Sequence, residues 1–174
     1  MKRLLSVVAL SLVLLVSLAG CTQAPAAVEP VKMGRVEFAA HGTKCFTVTV
    51  VAMQGDKIVG VSIDEYQFMS KETATGVPNS DADFGTNYPE GMVLVSKVTN
   101  NETYSANMAK AGSTVKIADN FAAIEDYATG KTIAELETLA GKSAEEVVDA
   151  VTGATLTDTP GYLNSVIAAA KAAK

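Results

Sequence analysis

Four threonines stand close together in the stretch DAVTGATLTDTP, residues 149–160, between two segments with helical patterns. Thr152, Thr155, Thr157 and Thr159 supply more hydroxyls than a helix cap needs. Backbone N–H groups that open a helix have no partner within it, so a helix start is a ready site for a phosphate. Small residues between the first two threonines would let a bulky group approach the backbone. The stretch therefore indicates a turn that binds a phosphate or carries one on a hydroxyl.

The same residues also fit a plain capped connection between two helices. Gly153 suits the left-handed position after a helix that begins near Ser143, and Thr159-Pro160 suits the start of the next helix. Residue chemistry alone leaves both interpretations open and favours the plain connection.

A motif in this stretch resembles a known family. Asp149 to Thr155 reads D-A-V-T-G-A-T and matches, without a gap, the D-x-x-S/T-G-A-T motif of FMN-binding domains. In that family a flavin transferase joins FMN through a phosphoester to the last threonine of the motif. The resemblance implies covalent FMN on Thr155, with Asp149 recognised by the transferase or its metal. It also implies that Thr152, Gly153 and Ala154 shape the turn. Thr157 would contact the phosphate.

Two further segments resemble extracellular electron-transfer lipoproteins of the same family. They are YATGKT at 127–132 and the stretch around Gly55–Val59 with Gln67, so that the resemblance covers roughly 34–170. Residues 34–42 depart from the D-G-x-Y-x-G stretch with which many members open. The resemblance implies a flavoprotein that passes electrons from a membrane quinone oxidoreductase, or another membrane donor, to an external acceptor.

The N-terminus predicts how such a protein would reach a membrane. Residues 1–20 pair Lys2 and Arg3 with an apolar run and read as a signal peptide. The end of this run, Leu-Ala-Gly-Cys, resembles the bacterial lipobox, which implies a lipid anchor on Cys21 at the extracytoplasmic face of the cell membrane. Residues 21–33 then read as a lipid-anchored flexible tether, and 34–174 as the FMN-binding domain.

Composition weighs against other function classes. The net charge of -5 disfavours nucleic acid as a partner. A reductase for a small acid would need several arginines, and Arg35 is the only one after the predicted leader. We therefore expect an electron carrier more than an enzyme with its own substrate. A cofactor-free surface binding or antigen lipoprotein is the alternative.

The second cysteine, Cys45, has no disulfide partner once Cys21 carries lipid. His41 precedes it by four residues, but no further ligands follow at the spacing of a zinc site. We expect no metal site and read Cys45 as a small buried hydrophobe.

The elements that must position the turn follow from periodicity. Alternating residues at 44–53 and 56–68 flank a Gly-Asp turn and predict a β-hairpin. Residues 70–91 read as a long loop, and 92–97 as a strand or a helix start. Helices are predicted at the ranges 101–112, 119–130, 132–142, 143–151 and 159–173, with caps at Asp119, Thr132, Ser143 and Thr159. Strands followed by short helices predict an α+β domain.

Contacts to a flavin ring are less determined by sequence. Four residues near the long loop and the first helix are candidates, although such residues more often belong to the core: Tyr88, Met92, Tyr104 and Met108. His41 is a further candidate, as a proton donor.

Overall fold

The computed structural model describes residues 28–78 and 88–174, which form an antiparallel sheet followed by short helices. The strands are β1 Val31–Phe38, β2 Cys45–Gln54, β3 Lys57–Ser70 and β4 Met92–Ser96. The helices are α1 Asn101–Lys110, α2 Ile117–Ala128, α3 Ile133–Ala140, α4 Ala144–Ala150 and α5 Thr159–Lys171. This order confirms the α+β class. The predicted signal peptide, Cys21 and the tether up to residue 27 lie outside the described residues.

The strands pair in the order β1-β2-β3-β4, each antiparallel to its neighbour. The predicted hairpin is confirmed: Gln54 pairs with Lys57, and Gly55 between them has a φ of +60°. The segment predicted as a strand or a helix start at 92–97 forms the strand β4. Residues 79–87 of the predicted loop lie outside the described residues. Strand β1 was not predicted, because Gly34 and scattered charges interrupt its alternation. It begins at Val31, three residues before the predicted domain start.

Helix boundaries follow local capping chemistry. Both predicted capping boxes form, with reciprocal bonds between Thr132 and Glu135 at α3 and between Ser143 and Glu146 at α4. Gly130 follows α2 with a φ of +84°, as expected for a residue just past a helix end.

Two predicted caps are wrong by one to three residues. Helix α2 begins at Ile117, so Asp119 lies in its first turn, where a carboxylate still favours the helix dipole. Thr159 is the first residue of α5 instead of its cap, and Asp158 precedes it. In both cases the helix starts earlier than the cap residue indicated.

Helices cover one face of the sheet. Helix α5 packs on β1 and β2, and α2 packs on β3. The Phe121 and Tyr162 rings meet edge to face, with centroids 5.0 Å apart, inside a core that includes Val51, Ile58, Ile63, Ile124, Leu136, Leu163 and Val166. The described residues contain no helix long and apolar enough to cross a membrane.

The other face of the sheet carries aromatic side chains. Phe46 pairs with Tyr66 across β2 and β3, and Phe68 lies two residues further along β3 on the same face. Phe46 and Phe68 are 39% and 38% exposed, which is high for such large apolar groups. This aromatic surface continues toward the start of β2.

Candidate functional site

The threonine-rich stretch forms a tight turn between α4 and α5. Helix α4 ends at Ala150, and Gly153 takes a φ of +98°, which confirms the predicted left-handed residue. The Ala154 N–H then donates to the Val151 carbonyl oxygen at 3.0 Å. Ala154 is 5% exposed and packs in the core. The turn is therefore anchored on both sides of Gly153.

Three of the four threonines are displayed to solvent. Thr152, Thr155 and Thr157 are exposed, whereas Thr159 is fully buried and donates its hydroxyl to the Leu156 carbonyl at 2.6 Å. The Thr159 hydroxyl is therefore a local structural group. The other three threonines belong to the exposed surface of the turn.

A buried asparagine holds Thr155 in place. Asn120, in α2, is fully buried, and its Oδ1 accepts from the Thr155 N–H at 2.7 Å and lies 3.4 Å from Thr155 Oγ1. Its Nδ2 donates to the carbonyls of Val115 and Lys116 at 3.2 and 2.9 Å. The carboxamide thus joins the threonine turn to the start of α2. Sequence reasoning missed this residue, because nothing in local spacing links positions 35 residues apart.

The structure brings together most of the predicted site residues. Asp149, Thr155 and Thr157 line one cleft of about 280 Å³. Thr155 and Thr157 also line a second cleft of about 370 Å³, whose other wall includes Met108 and Asp158. Thr152 instead lines a separate cleft beside α2. Thr155 therefore stands between two clefts, while the Thr152 side chain points elsewhere.

The expectation of free N–H groups at the start of α5 is wrong. The Thr159 N–H donates to the Leu156 carbonyl, and the Gly161 and Tyr162 N–H groups donate to the Asp158 carbonyl. Pro160 has no N–H. None of the described residues that line the two clefts beside Thr155 is basic, and Glu145, Asp149 and Asp158 are acidic. The turn is thus poorly suited to hold a free phosphate, and it displays hydroxyls that could carry one covalently.

A buried polar cluster lies beside this turn. Glu65 on β3 and Lys97 after β4 are fully buried and form an ion pair, and the Tyr162 hydroxyl donates to the same Glu65 Oε2 at 2.8 Å. Burial alone lowers the pKa of Lys97, but attraction to Glu65 outweighs it, and the net shift is upward. Burial and the Glu65 charge raise the pKa of Tyr162. Lys97 is therefore a charged group and Tyr162 a neutral donor.

His41 connects the cluster to the turn. Its Nδ1 lies 3.4 Å from Lys97 Nζ, and its Nε2 lies 3.7 Å from the Asp158 carboxylate. Nδ1 also lies 3.5 Å from Glu65 Oε2, so the imidazole stands between the buried ion pair and Asp158. Gly161 lets the start of α5 come close to the backbone next to His41, because a Cβ at position 161 would lie 2.0 Å from the Ala40 carbonyl oxygen.

Cys45 is half-buried and hydrogen-bonded, so the prediction of a small buried hydrophobe is wrong. Its Sγ donates to the His41 carbonyl. Burial, followed by the Glu65 charge, raises its pKa to about 11. Ligand atoms of His41, Cys45 and Glu65 lie within 4.8 Å of one another. Sequence spacing could not show this grouping, because Glu65 belongs to another strand. The Lys97 ammonium contacts Glu65 and His41 and supplies a positive charge at this cluster.

A larger apolar cleft of about 810 Å³ lies where β2 begins. Phe46, Tyr66, Phe68, Met92 and Leu94 give it apolar walls, and His41 and Cys45 lie among its lining residues. Of the predicted ring contacts, Met92 lines this cleft and Met108 lines the cleft beside Thr155. The Tyr104 ring lies over Lys97 Nζ, 4.3 Å from it, and the Tyr88 and Phe68 rings meet edge to face.

A scan against protein-family models and searches of curated proteins and of solved structures found no match to the chain.

Proposed function

We propose that the protein is an extracytoplasmic, membrane-anchored flavoprotein that carries FMN as a phosphoester on Thr155 and transfers electrons from a membrane donor to an external acceptor. The observation that carries the proposal is the Thr155 hydroxyl. It belongs to an exposed residue on an anchored turn between two clefts, and Asp149 lines one of them. The motif resemblance assigns the attachment to this same hydroxyl.

The surroundings of Thr155 favour covalent over reversible retention. Glu145, Asp149 and Asp158 would repel a free phosphate, and the N–H groups that open α5 already have acceptors. A covalent bond removes the need for a cationic phosphate pocket. The acidic neighbours could then be contacted by a flavin transferase and its metal, which is the role that the resemblance implies for Asp149.

The residues of the turn have separate tasks in this proposal. FMN, when bound, supplies one- or two-electron transfer through its ring. Asn120 fixes the backbone at Thr155, Gly153 and Ala154 set the shape of the turn, and Thr157 stands beside the phosphate position. The lipid on Cys21 would keep the carrier close to its donor, such as a quinone oxidoreductase.

One observation favours a different function. The exposed aromatic surface at Phe46 and Phe68 would suit a binding lipoprotein that holds an apolar partner and no cofactor. That alternative gives the three exposed threonines no chemical task. It therefore explains less of the turn than the flavoprotein proposal does.

Colour separates these two functions. The full chain is produced with a flavin transferase and FAD, because an ester forms from an activated phosphoanhydride: Thr155 Oγ bonds to the FMN phosphorus, AMP leaves, and the hydroxyl proton goes to solvent. We expect yellow protein whose flavin absorbance survives denaturation and bleaches with dithionite. Colourless protein, made beside a transferase that labels another substrate, would contradict the proposal.

A further inference from the structure

The apolar cleft at the start of β2 has the walls of a site for a flat aromatic ring. Phe46 and Tyr66 stack with centroids 5.6 Å apart and planes 18° from parallel. Phe68 and Met92, each 38% exposed, extend the same apolar surface. A pocket with mostly apolar walls and a few polar groups at one end is typical of small-molecule and cofactor sites.

The cleft is next to the turn that carries Thr155. Asp158 lines the cleft beside Thr155, and its carboxylate faces His41 Nε2 at 3.7 Å. His41 in turn lines the apolar cleft. Asp158 lies three positions after Thr155, so their Cα atoms are at most about 11 Å apart. The Asp158–His41 pair therefore links the cleft beside Thr155 to the apolar cleft.

The polar groups at this end suit a ring with a polar edge. His41 and Cys45 line the cleft, and the Lys97 ammonium lies behind His41, 3.4 Å from its Nδ1. The cleft beside Thr152 is less suitable. Its volume is about 430 Å³, roughly half that of the apolar cleft. The carboxylates of Asp119 and Asp126 line it, and its lining has no pair of aromatic rings comparable to Phe46 and Tyr66.

We propose that the apolar cleft receives the isoalloxazine ring of the flavin carried by Thr155, with Phe46 and Tyr66 as its aromatic wall and His41 at its polar end. The inference rests on the proposed function. It adds the position of the ring and the residues that would contact it.

The test measures ring environment separately from attachment. Flavin content per chain is read from absorbance after unfolding, and ring environment is read from fluorescence and its quenching by iodide in the folded full chain. Tyr66→Leu and Phe46→Leu are compared with Tyr127→Leu, a half-buried tyrosine at the Thr152 cleft. An aromatic wall quenches flavin fluorescence by contact, so its loss should brighten the ring.

The expected result is unchanged flavin content in all three variants, with a several-fold rise in fluorescence for Tyr66→Leu, a rise for Phe46→Leu, and none for Tyr127→Leu. Brightening by Tyr127→Leu alone, or by none of them, would overturn the ring position and leave the attachment intact. Wild-type protein without flavin would overturn the proposed function itself. Phe46→Leu keeps the test valid where Tyr66→Leu fails to fold, because Phe46 is more exposed.

Discussion

Replacing Asn120 by alanine should weaken both the domain and its site. The change removes the acceptor of the Thr155 N–H and the donor to the Val115 and Lys116 carbonyls. A neutral hydrogen bond contributes on the order of 1 kcal/mol, and a buried group left without its partner costs more. For three bonds around a fully buried side chain, we expect a loss of about 2–4 kcal/mol in the free energy of unfolding.

The same change should slow flavin attachment. Without the Asn120 carboxamide, the backbone at Thr155 loses its fixed position, although the hydroxyl that accepts the flavin is still present. Urea unfolding measures the stability, and a time course of flavin incorporation under conditions where the variant is folded measures the attachment rate. Asn120→Asp should also be impaired, because its carboxylate would face two backbone carbonyls.

An exposed asparagine supplies the control. Asn107 in α1 is exposed and accepts a hydrogen bond from Lys110 at 3.2 Å, so Asn107→Ala should change stability by less than about 0.5 kcal/mol and leave attachment unchanged. If Asn120→Ala matched this control in both measurements, the reasoning that Asn120 positions Thr155 would be refuted.

Three other predictions concern the cluster beside the turn. Lys97→Met should cost about 3–5 kcal/mol of unfolding free energy, because it removes the ion-pair partner of the buried Glu65 carboxyl group, and Lys97→Met/Glu65→Gln should recover much of that loss. Thermal melts compare the two variants, and equal losses would contradict the pairing. Gly161→Ala should cost about 1–3 kcal/mol, because its Cβ meets the Ala40 carbonyl; an unchanged melt would contradict that contact. Because its pKa is raised to about 11, the Cys45 thiol is protonated at pH 8. Iodoacetamide should therefore label it far more slowly in folded than in unfolded protein, and equal rates would contradict this prediction.

Local patterns predicted the parts of the fold that local chemistry decides. The hairpin at Gly55 and the capping box at Thr132 are each specified within a few residues, so their sequence signals were sufficient. Strand β1 gave no such signal, because its pairing with β2 and its packing under α5 stabilise it from outside its own sequence.

The site shows the same division. The left-handed Gly153 and the exposed Thr155 were predictable from the turn itself. Asn120 was not, because α2 delivers its carboxamide from a distant part of the chain. The supposed phosphate-binding N–H groups failed as a prediction because the Leu156 and Asp158 carbonyls fold back onto them.

The most direct test of the central claim is the mass of one tryptic peptide. Cleavage after Lys142 and Lys171 releases residues 143–171, which contain all four threonines. After reaction with a flavin transferase and FAD, we predict that this peptide gains the mass of FMN less one water, with fragmentation placing the gain on Thr155. Thr157→Ala should keep it and Thr155→Ala should lose it. A gain that persists in Thr155→Ala, or no gain in the wild-type chain beside a substrate that the transferase does label, would contradict covalent FMN on Thr155.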